Sequence, residues 1–221
     1  MKTTLKFFSL FCFFTTLFFA CSVKENEVEE EKTTKPDDEI FYYFGLENKK
    51  IYLTQCLDKI LIRFSSDTDK ERMLALVSDV APLKIFENTI SDEGYIHLAC
   101  FESQDEKPIS QEIIKSFKTI DQVISVAYMY QYNGGKHQGI IDEFVVQFNS
   151  STSYKQLEEL AKENGCTIGE KYSSPFVENR FTIHVPKTSE LNAMQMANKF
   201  YETKLFYFSE PNFIFLNLLH M

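Results

Sequence analysis

The sequence predicts an α+β protein in which helices cover one face of antiparallel sheet. Short runs rich in Ile, Val, Phe and Tyr alternate with runs whose apolar residues recur at helical spacing. The order of these runs occurs twice, since segments 58–64 and 142–148 both begin with Asp and end with Phe. The chain has 221 residues, is 44% hydrophobic and has a mean hydropathy of −0.23. These values exclude a wholly disordered chain and a multi-span membrane protein.

Residues 1–20 have the composition of a lipoprotein signal peptide. A short basic start is followed by the uncharged apolar run 7–20, which is shorter than the roughly 20 residues of a membrane-spanning helix. The sequence then continues as Ala20-Cys21-Ser22, which resembles the processing site of bacterial lipoproteins and implies lipidation of Cys21. The alternative is an ordinary secretory signal, or an uncleaved anchor, in which Cys21 has no role.

Residues 21–39 are predicted to be an acidic, disordered tether. Between Lys24 and Glu39 there are eight acids, three bases and one apolar residue, so the segment cannot bury apolar surface. An acidic stretch after a lipidated cysteine resembles the surface-export signal of lipoproteins in Bacteroides-like Gram-negative bacteria. Together with Ser22, it implies a lipid anchor in the outer membrane of the bacterial cell envelope and exposure at the surface. The net charge of −9 excludes a nucleic-acid partner.

Residues 40–132 are predicted to form a hairpin and a first βαββαβ unit. The strand 58–64 is followed by Thr68 and Glu71, which have the spacing of a helix capping box. A second helix is expected to open near Ser110, before a final strand at 123–128. The first predicted helix has one apolar stripe, formed by Met73, Leu76 and Val77.

Residues 142–221 are predicted to form a second unit of the same order, after a polar, glycine-rich linker at 133–141. Ser153 and Gln156 have capping-box spacing, and a further helix is expected near Ser189. A strand at 205–209 closes the unit. The order β-α-β-β-α-β is that of the ferredoxin-like arrangement, so the sequence predicts two tandem ferredoxin-like units.

No set of residues in the sequence has the spacing of a catalytic or metal site. His97 and His184 lie in corresponding predicted strands, and repeat symmetry explains them better than a metal pair does. Hence we predict no enzyme, no metal and no cofactor. Cys56, Cys100 and Cys166 are predicted to be buried thiols, with one disulfide as the alternative.

The stretch from Ala197 to Phe213 carries a family resemblance. It contains Phe-Tyr-Glu at the end of a predicted helix, then a strand, then Glu-Pro-Asn-Phe. This resembles the end of the N-terminal prodomain of subtilisin-like serine proteases, especially the fervidolysin-like prodomains and their Bacteroides relatives. Segments 42–53 and 58–64 resemble the same group, so the resemblance covers residues 41–215. The motifs of the protease triad do not occur in the sequence, and proteolytic activity is therefore not implied.

The resemblance implies a protein that binds a subtilisin-like serine protease and inhibits it or assists its folding. In such prodomains the C-terminal tail lies in the substrate cleft as an extended strand. The implied protease-contact residues are Glu210, Pro211, Asn212, Phe213 and Phe215. Three alternatives stay open: the apolar tail folds back as a strand, the chain is a surface binding module for another protein or a glycan, or it is the remnant of a truncated protease.

Overall fold

The computed structural model describes residues 41–45, 48–91, 97–132, 135–171 and 179–215. It confirms an α+β protein with antiparallel sheet, and none of the helices in these ranges is long and apolar enough to cross a membrane. In chain order the elements are β1 (Phe41–Phe44), β2 (Lys50–Phe64), α1 (Lys70–Ser78), β3 (Leu83–Ser91), β4 (His97–Ser103), α2 (Gln111–Lys118), β5 (Val123–Tyr132), β6 (Lys136–Phe148), α3 (Tyr154–Glu163), β7 (Thr167–Lys171), β8 (Arg180–His184), α4 (Ala193–Glu202) and β9 (Phe206–Phe215).

The nine strands form one sheet in the order β3-β4-β2-β5-β6-β8-β7, with β1 paired to β2 and β9 paired to β6. We call residues 50–132 the first half and residues 136–215 the second half. Strand β6 joins them, because its start pairs with β5, its later part pairs with β8, and β9 runs along its opposite side.

The structure differs from the sequence expectation in the segment predicted as a linker. Of residues 133–141, those from Lys136 onward belong to β6. Their composition is polar and glycine-rich, but β5 and β9 supply hydrogen-bond partners for their backbone. At Gly139, an added Cβ would lie 2.4 Å from Leu61 Cδ2 on β2, so glycine permits the close approach of these two strands.

The helix caps in the first half follow the sequence closely, with one shift. Ser110 caps α2 as predicted. At α1, however, the cap is Asp69 rather than Thr68, because the Asp69 carboxylate accepts a hydrogen bond of 2.8 Å from the Arg72 backbone N–H. Thr68 is buried instead, and its hydroxyl lies 2.8 Å from that of Ser65. The predicted capping box at α1 is therefore wrong by one residue.

In the second half one helix start is confirmed and one is corrected. Ser153 and Gln156 form the predicted capping box at α3. Helix α4 begins at Ala193 rather than near Ser189, and Asn192 and Gln195 form its capping box.

Each half has an apolar core between its helices and one face of its strands. In the first half, α1 and α2 cover Ile60, Ile62, Phe64 and Phe101. In the second half, α3 and α4 cover Phe144, Val146, Phe181 and Ile183. Two smaller clusters fill the junction, one around Leu61, Met129 and Ile141 and the other around Phe41, Tyr130, Ile140 and Met194.

Candidate functional site

A cluster of charged and polar side chains lies where the two halves meet. The Arg63 guanidinium on β2 donates to Asp142 Oδ1 at 2.8 Å and to Glu143 Oε1 at 2.5 Å. His184 Nδ1 on β8 lies 3.5 Å from Glu143 Oε1 and 3.7 Å from Asp142 Oδ2. Asn212 on β9 donates to Glu143 Oε2 at 3.2 Å. We call these five residues the junction cluster.

An irregularity of β6 accounts for the position of the two carboxylates. Neighbouring residues of a regular strand point to opposite faces, so Asp142 and Glu143 would not normally share a partner. The pairing of β6 with β9 changes register between Ile140 and Phe144, which is the kind of bulge that redirects side chains. As a result, both carboxylates contact the guanidinium of Arg63.

The charges of the junction cluster stabilise one another. Burial would raise the pKa of Asp142, but the polar contact with His184 and the charge and hydrogen bond of Arg63 outweigh it and hold that pKa below its usual value. The contact with Asp142 raises the pKa of His184 above its usual value, with a further contribution from Glu143. Burial opposes the charge of Arg63, yet its two carboxylate partners raise its pKa.

The junction cluster has the residues of a cation site but not its charge balance. One ligand atom from each of Asp142, Glu143 and His184 lies within 4.8 Å of the others. However, the Arg63 guanidinium already contacts both carboxylates, and its positive charge would repel a divalent ion. We therefore assign the cluster as an ion-pair network.

Gly169 on β7 leaves room for the ring of His184. An added Cβ at Gly169 would lie 2.5 Å from His184 Nε2 and 3.0 Å from Cδ2. Such distances are shorter than van der Waals contact, so a side chain at position 169 would displace the ring. The absence of a side chain at Gly169 therefore permits the contact of His184 with Asp142 and Glu143.

The two histidines singled out in the sequence are not brought together. His97 is buried opposite Phe64, with its Nδ1 3.1 Å from the carbonyl oxygen of Thr68. His184 lies opposite Glu143. The two histidines therefore lie in corresponding strands, β4 and β8, as predicted, but at different positions along them, since Phe64 ends β2 whereas Glu143 lies in the middle of β6.

The implied protease-contact residues lie in β9, and Asn212 belongs to the junction cluster. Glu210 lies opposite Val145, and its burial raises the pKa of its carboxyl group. Pro211 is buried opposite Phe144. The other two positions are aromatic: the Phe213 ring packs 4.9 Å from that of Tyr43, and Phe215 is 46% exposed.

Two further predictions concern the tail and the lipid anchor. Residues Glu210–Phe215 form strand, which is the fold-back alternative for this part of the tail. Residues 216–221 and the predicted lipidation site Cys21 lie outside the described residues.

Cys56, Cys100 and Cys166 are all buried, as the sequence predicts. Burial raises the pKa of the Cys56 and Cys166 thiols to about 11. Because the thiolate is the reactive form, these thiols are unreactive at neutral pH.

One face of the second-half strands carries polar side chains together with Val145 and Phe208. Helices α3 and α4 pack on the face that bears Phe144 and Val146, so Val145 and Gln147 point to the opposite face. Across the strands, Val145 lies opposite Thr182 on β8 and opposite Glu210 on β9. These residues extend the junction cluster along the sheet, and we call this surface the open face.

Sequence reasoning missed the junction cluster, although one signal was present. Arg63 and His184 are charged or titratable residues inside otherwise apolar strands. Such residues are rarely buried without partners, so each indicates a polar contact. The partner could not be read from the sequence, because Arg63 and Asp142 are 79 residues apart. No protein-family model matches the chain, and no curated protein matches it in sequence.

Proposed function

We propose that the described region consists of two tandem ferredoxin-like units and acts as a lipid-anchored, subtilase-prodomain-like protein. The strand order supports the two units. In the first half the order is β3-β4-β2-β5, and in the second half it is β7-β8-β6-β9. Each half therefore runs second, third, first, fourth strand, with both crossovers helical, as in the split βαβ arrangement.

The open face is the observation that carries the binding function. A sheet with helices on one face leaves the other face for solvent or for a partner. Within the described residues of the second half, both helices pack on the Phe144 face, and Val145 and Thr182 stay on the other. A protease surface that packs on this open face would bury the partly exposed Val145 and meet the polar groups around it.

The course of β9 supports a role for the residues that follow it. This strand is paired with β6 as far as Phe215, so it leads the chain along β6 in an extended conformation. Residues 216–221 would then enter the substrate cleft as a product-like strand. In this proposal Glu210, Pro211 and Asn212 hold β9 in place, and Phe213 and Phe215 bring the chain to the protease surface. Lipidation of Cys21 would keep the protein at the outer membrane.

Inhibition of a subtilisin-like protease by the full chain, purified in detergent, tests the proposal. We expect inhibition by the unchanged chain, and a loss of at least about tenfold in affinity for Val145→Arg on the open face. Ala75→Arg, on the exposed side of α1, is the matched control and should inhibit like the unchanged chain.

Two results would contradict the proposal. If the full chain neither binds nor inhibits subtilisin or a subtilase of its own organism, the prodomain role fails. The binding-module and remnant alternatives would then remain. If Val145→Arg and Ala75→Arg inhibit equally well, the open face is not the protease contact.

A further inference from the structure

A second surface feature is a cavity of about 320 Å³ where α4 meets β9. Its described lining includes Asn48, Asn149, Tyr201, Lys204 and Tyr207. This volume is at the lower end of the range for small-molecule sites, about 300–1,000 Å³. The lining also has the usual composition of such sites, in which aromatic rings form the walls and a few polar groups orient the ligand.

Tyr207 is presented to the cavity by a β-bulge. Gln147 pairs with Phe208 and Phe148 pairs with Phe206, so Tyr207 is an extra residue without a partner in the ladder. Tyr207 is 66% exposed, whereas Phe206 beside it is 3% exposed. Bulges commonly occur next to binding sites, where they redirect a side chain. Here the bulge turns a flat aromatic ring towards solvent.

Lys204 is held in an uncommon backbone conformation at the same cavity. Its φ is 64°, in the left-handed region, which costs a non-glycine residue roughly 1–2 kcal/mol. Asn149 fixes this turn, because its Nδ2 donates to the Lys204 carbonyl at 2.6 Å and its backbone N–H donates to Leu205 O at 3.1 Å. The Lys204 ammonium lies 5.3 Å from the ring centroid of Tyr201. A left-handed residue directly after the helix C-cap, here Thr203, is a common helix end, and it fixes the position of Lys204 at the cavity.

Asn48, which also lines the cavity, has the same backbone conformation, with φ also 64°. Two of the four non-glycine residues with positive φ in the described part of the chain therefore line this one cavity. This coincidence indicates a preformed site, because conformations that cost free energy persist where the surrounding structure holds them.

The described lining of the cavity includes one basic residue, Lys204. Its ammonium group attracts an anionic group of a ligand. The exposed ring of Tyr207 selects for a flat, weakly polarised C–H surface, which interacts with the negative face of an aromatic ring. The side-chain amides of Asn48 and Asn149 are suited to hydroxyl groups.

From these features we infer that the cavity binds a hexuronate, that is, a sugar unit that carries a carboxylate. The C–H face of the pyranose ring stacks on Tyr207, and the carboxylate pairs with the Lys204 ammonium. Asn149, whose Nδ2 is engaged by the Lys204 carbonyl, offers its Oδ1 to a sugar hydroxyl. This site is independent of the proposed protease contact, because none of its features depends on the open face.

The test uses the full chain in detergent, with glucuronate and glucose as probes, and measures binding by calorimetry and by saturation-transfer NMR. We expect glucuronate to bind at least about tenfold more tightly than glucose. Tyr207→Ala should abolish binding, whereas Tyr207→Phe keeps the ring and should retain it. Lys204→Asn removes the charge while tolerating the left-handed conformation, so it should weaken glucuronate binding and leave glucose binding unchanged.

Tyr52→Ala is the matched control, since Tyr52 is 59% exposed and lies outside the cavity lining. It should bind glucuronate like the unchanged chain. Three results would overturn the inference: equal affinity for the two sugars, no measurable binding of either, or undiminished glucuronate binding by Tyr207→Ala.

Discussion

The two halves carry different charges at one corresponding position of their sheets. In the first half, Lys59 lies opposite Glu102. In the second half, 84 residues later on the first strand, Glu143 lies opposite His184. The first pair joins opposite charges within one half. In the second pair the acid, Glu143, lies on the first strand, opposite His184. Glu143 also forms an ion pair with Arg63, which comes from the other half. Thus the same ladder position is self-contained in one half and links the two halves in the other.

Lys59, Lys84 and Glu102 form the first-half cluster, and it differs from the junction cluster in the exposure of one cation: the Lys59 side chain is 15% exposed, close to that of Arg63, but Lys84 is largely exposed. Lys84, which pairs with Glu102 at 3.2 Å in the first half, has a side chain that is 52% exposed. The side chains of Arg63 and Asp142 are 16% and 9% exposed. Exposed ion pairs contribute little to stability, whereas a buried charge that loses its partner is costly. The number of ion pairs is therefore a poor guide to stability. We expect the less exposed pairs of the junction cluster, which join the two halves, to contribute more than the exposed pair of Lys84.

Replacement of Arg63 should have the largest effect. Arg63→Met leaves Asp142 and Glu143 as neighbouring carboxylates with little access to water, so we expect the free energy of unfolding to fall by about 3 kcal/mol. Lys84→Met, in the first-half cluster, should cost less than about 1 kcal/mol. Urea unfolding of the two variants measures both values. Equal losses would show that the two clusters do not differ in the way proposed.

A side chain at Gly169 should have the next largest effect, because it meets the His184 ring. We expect Gly169→Ala to lower the free energy of unfolding by about 1–2 kcal/mol, the usual cost of overpacking. In a His184→Ala background this cost should disappear, since the clashing ring atoms are gone. The measurement is a double-mutant cycle by urea unfolding. The same cost in both backgrounds would mean that the contact with Thr182 O at 3.4 Å, rather than the ring, limits the site.

Loss of the Asn212 side chain tests the link from the junction cluster to β9. Asn212→Ala removes one hydrogen bond to a charged acceptor, so we expect a loss of about 1.5 kcal/mol. Combined with Glu143→Ala, the effects should be less than additive, because both changes remove the same bond. Strict additivity, again by urea unfolding, would indicate that Asn212 acts through other contacts.

The sequence predicted the elements whose causes are local. The cap of α3 could be identified because Ser153 and Gln156 interact within one helical turn. At α1 the same reasoning chose Thr68 over Asp69, since both residue types suit a cap and only the tertiary burial of Thr68 separates them.

The junction could not be predicted in this way. Its strand β6 continues through the polar segment from Lys136 because β5 and β9 pair with it. Likewise, the partners of Arg63 depend on how the halves meet and on the bulge near Asp142. The pairing with β9 and the contacts of Arg63 join residues far apart in the chain, and local pattern carries no information about them. The β5–β6 pairing is local, since Tyr132 lies opposite Lys136, but the polar composition of this segment favoured a linker over a strand. The repeat predicted that His97 and His184 lie in corresponding strands, but not that His97 lies opposite Phe64 and His184 opposite Glu143.

The pH dependence of His184 is the smallest expected effect and sharpens the comparison most directly, since the first-half cluster has no histidine. The charged groups that face the His184 ring are Arg63, Asp142 and Glu143, and the two carboxylates outweigh the guanidinium. Because folding raises the pKa of His184, its stabilisation is fully present below the ordinary histidine pKa of about 6.5 and is lost as pH rises through the folded-state pKa. Asp142 has a lowered pKa, so its stabilisation is present above about 3.9 and is lost as pH falls through its folded-state value. Between these limits both contribute.

The advantage of the unchanged chain over His184→Gln in urea unfolding should be larger near about pH 5.5 than near about pH 8.5. The difference should be only a few tenths of a kcal/mol, since the His184 side chain is 37% exposed and solvent screens its charge. NMR titration of the ring should give a pKa above about 6.5. A ring pKa at or below that value, or an advantage that grows with pH, would show that the carboxylates do not hold the proton on His184.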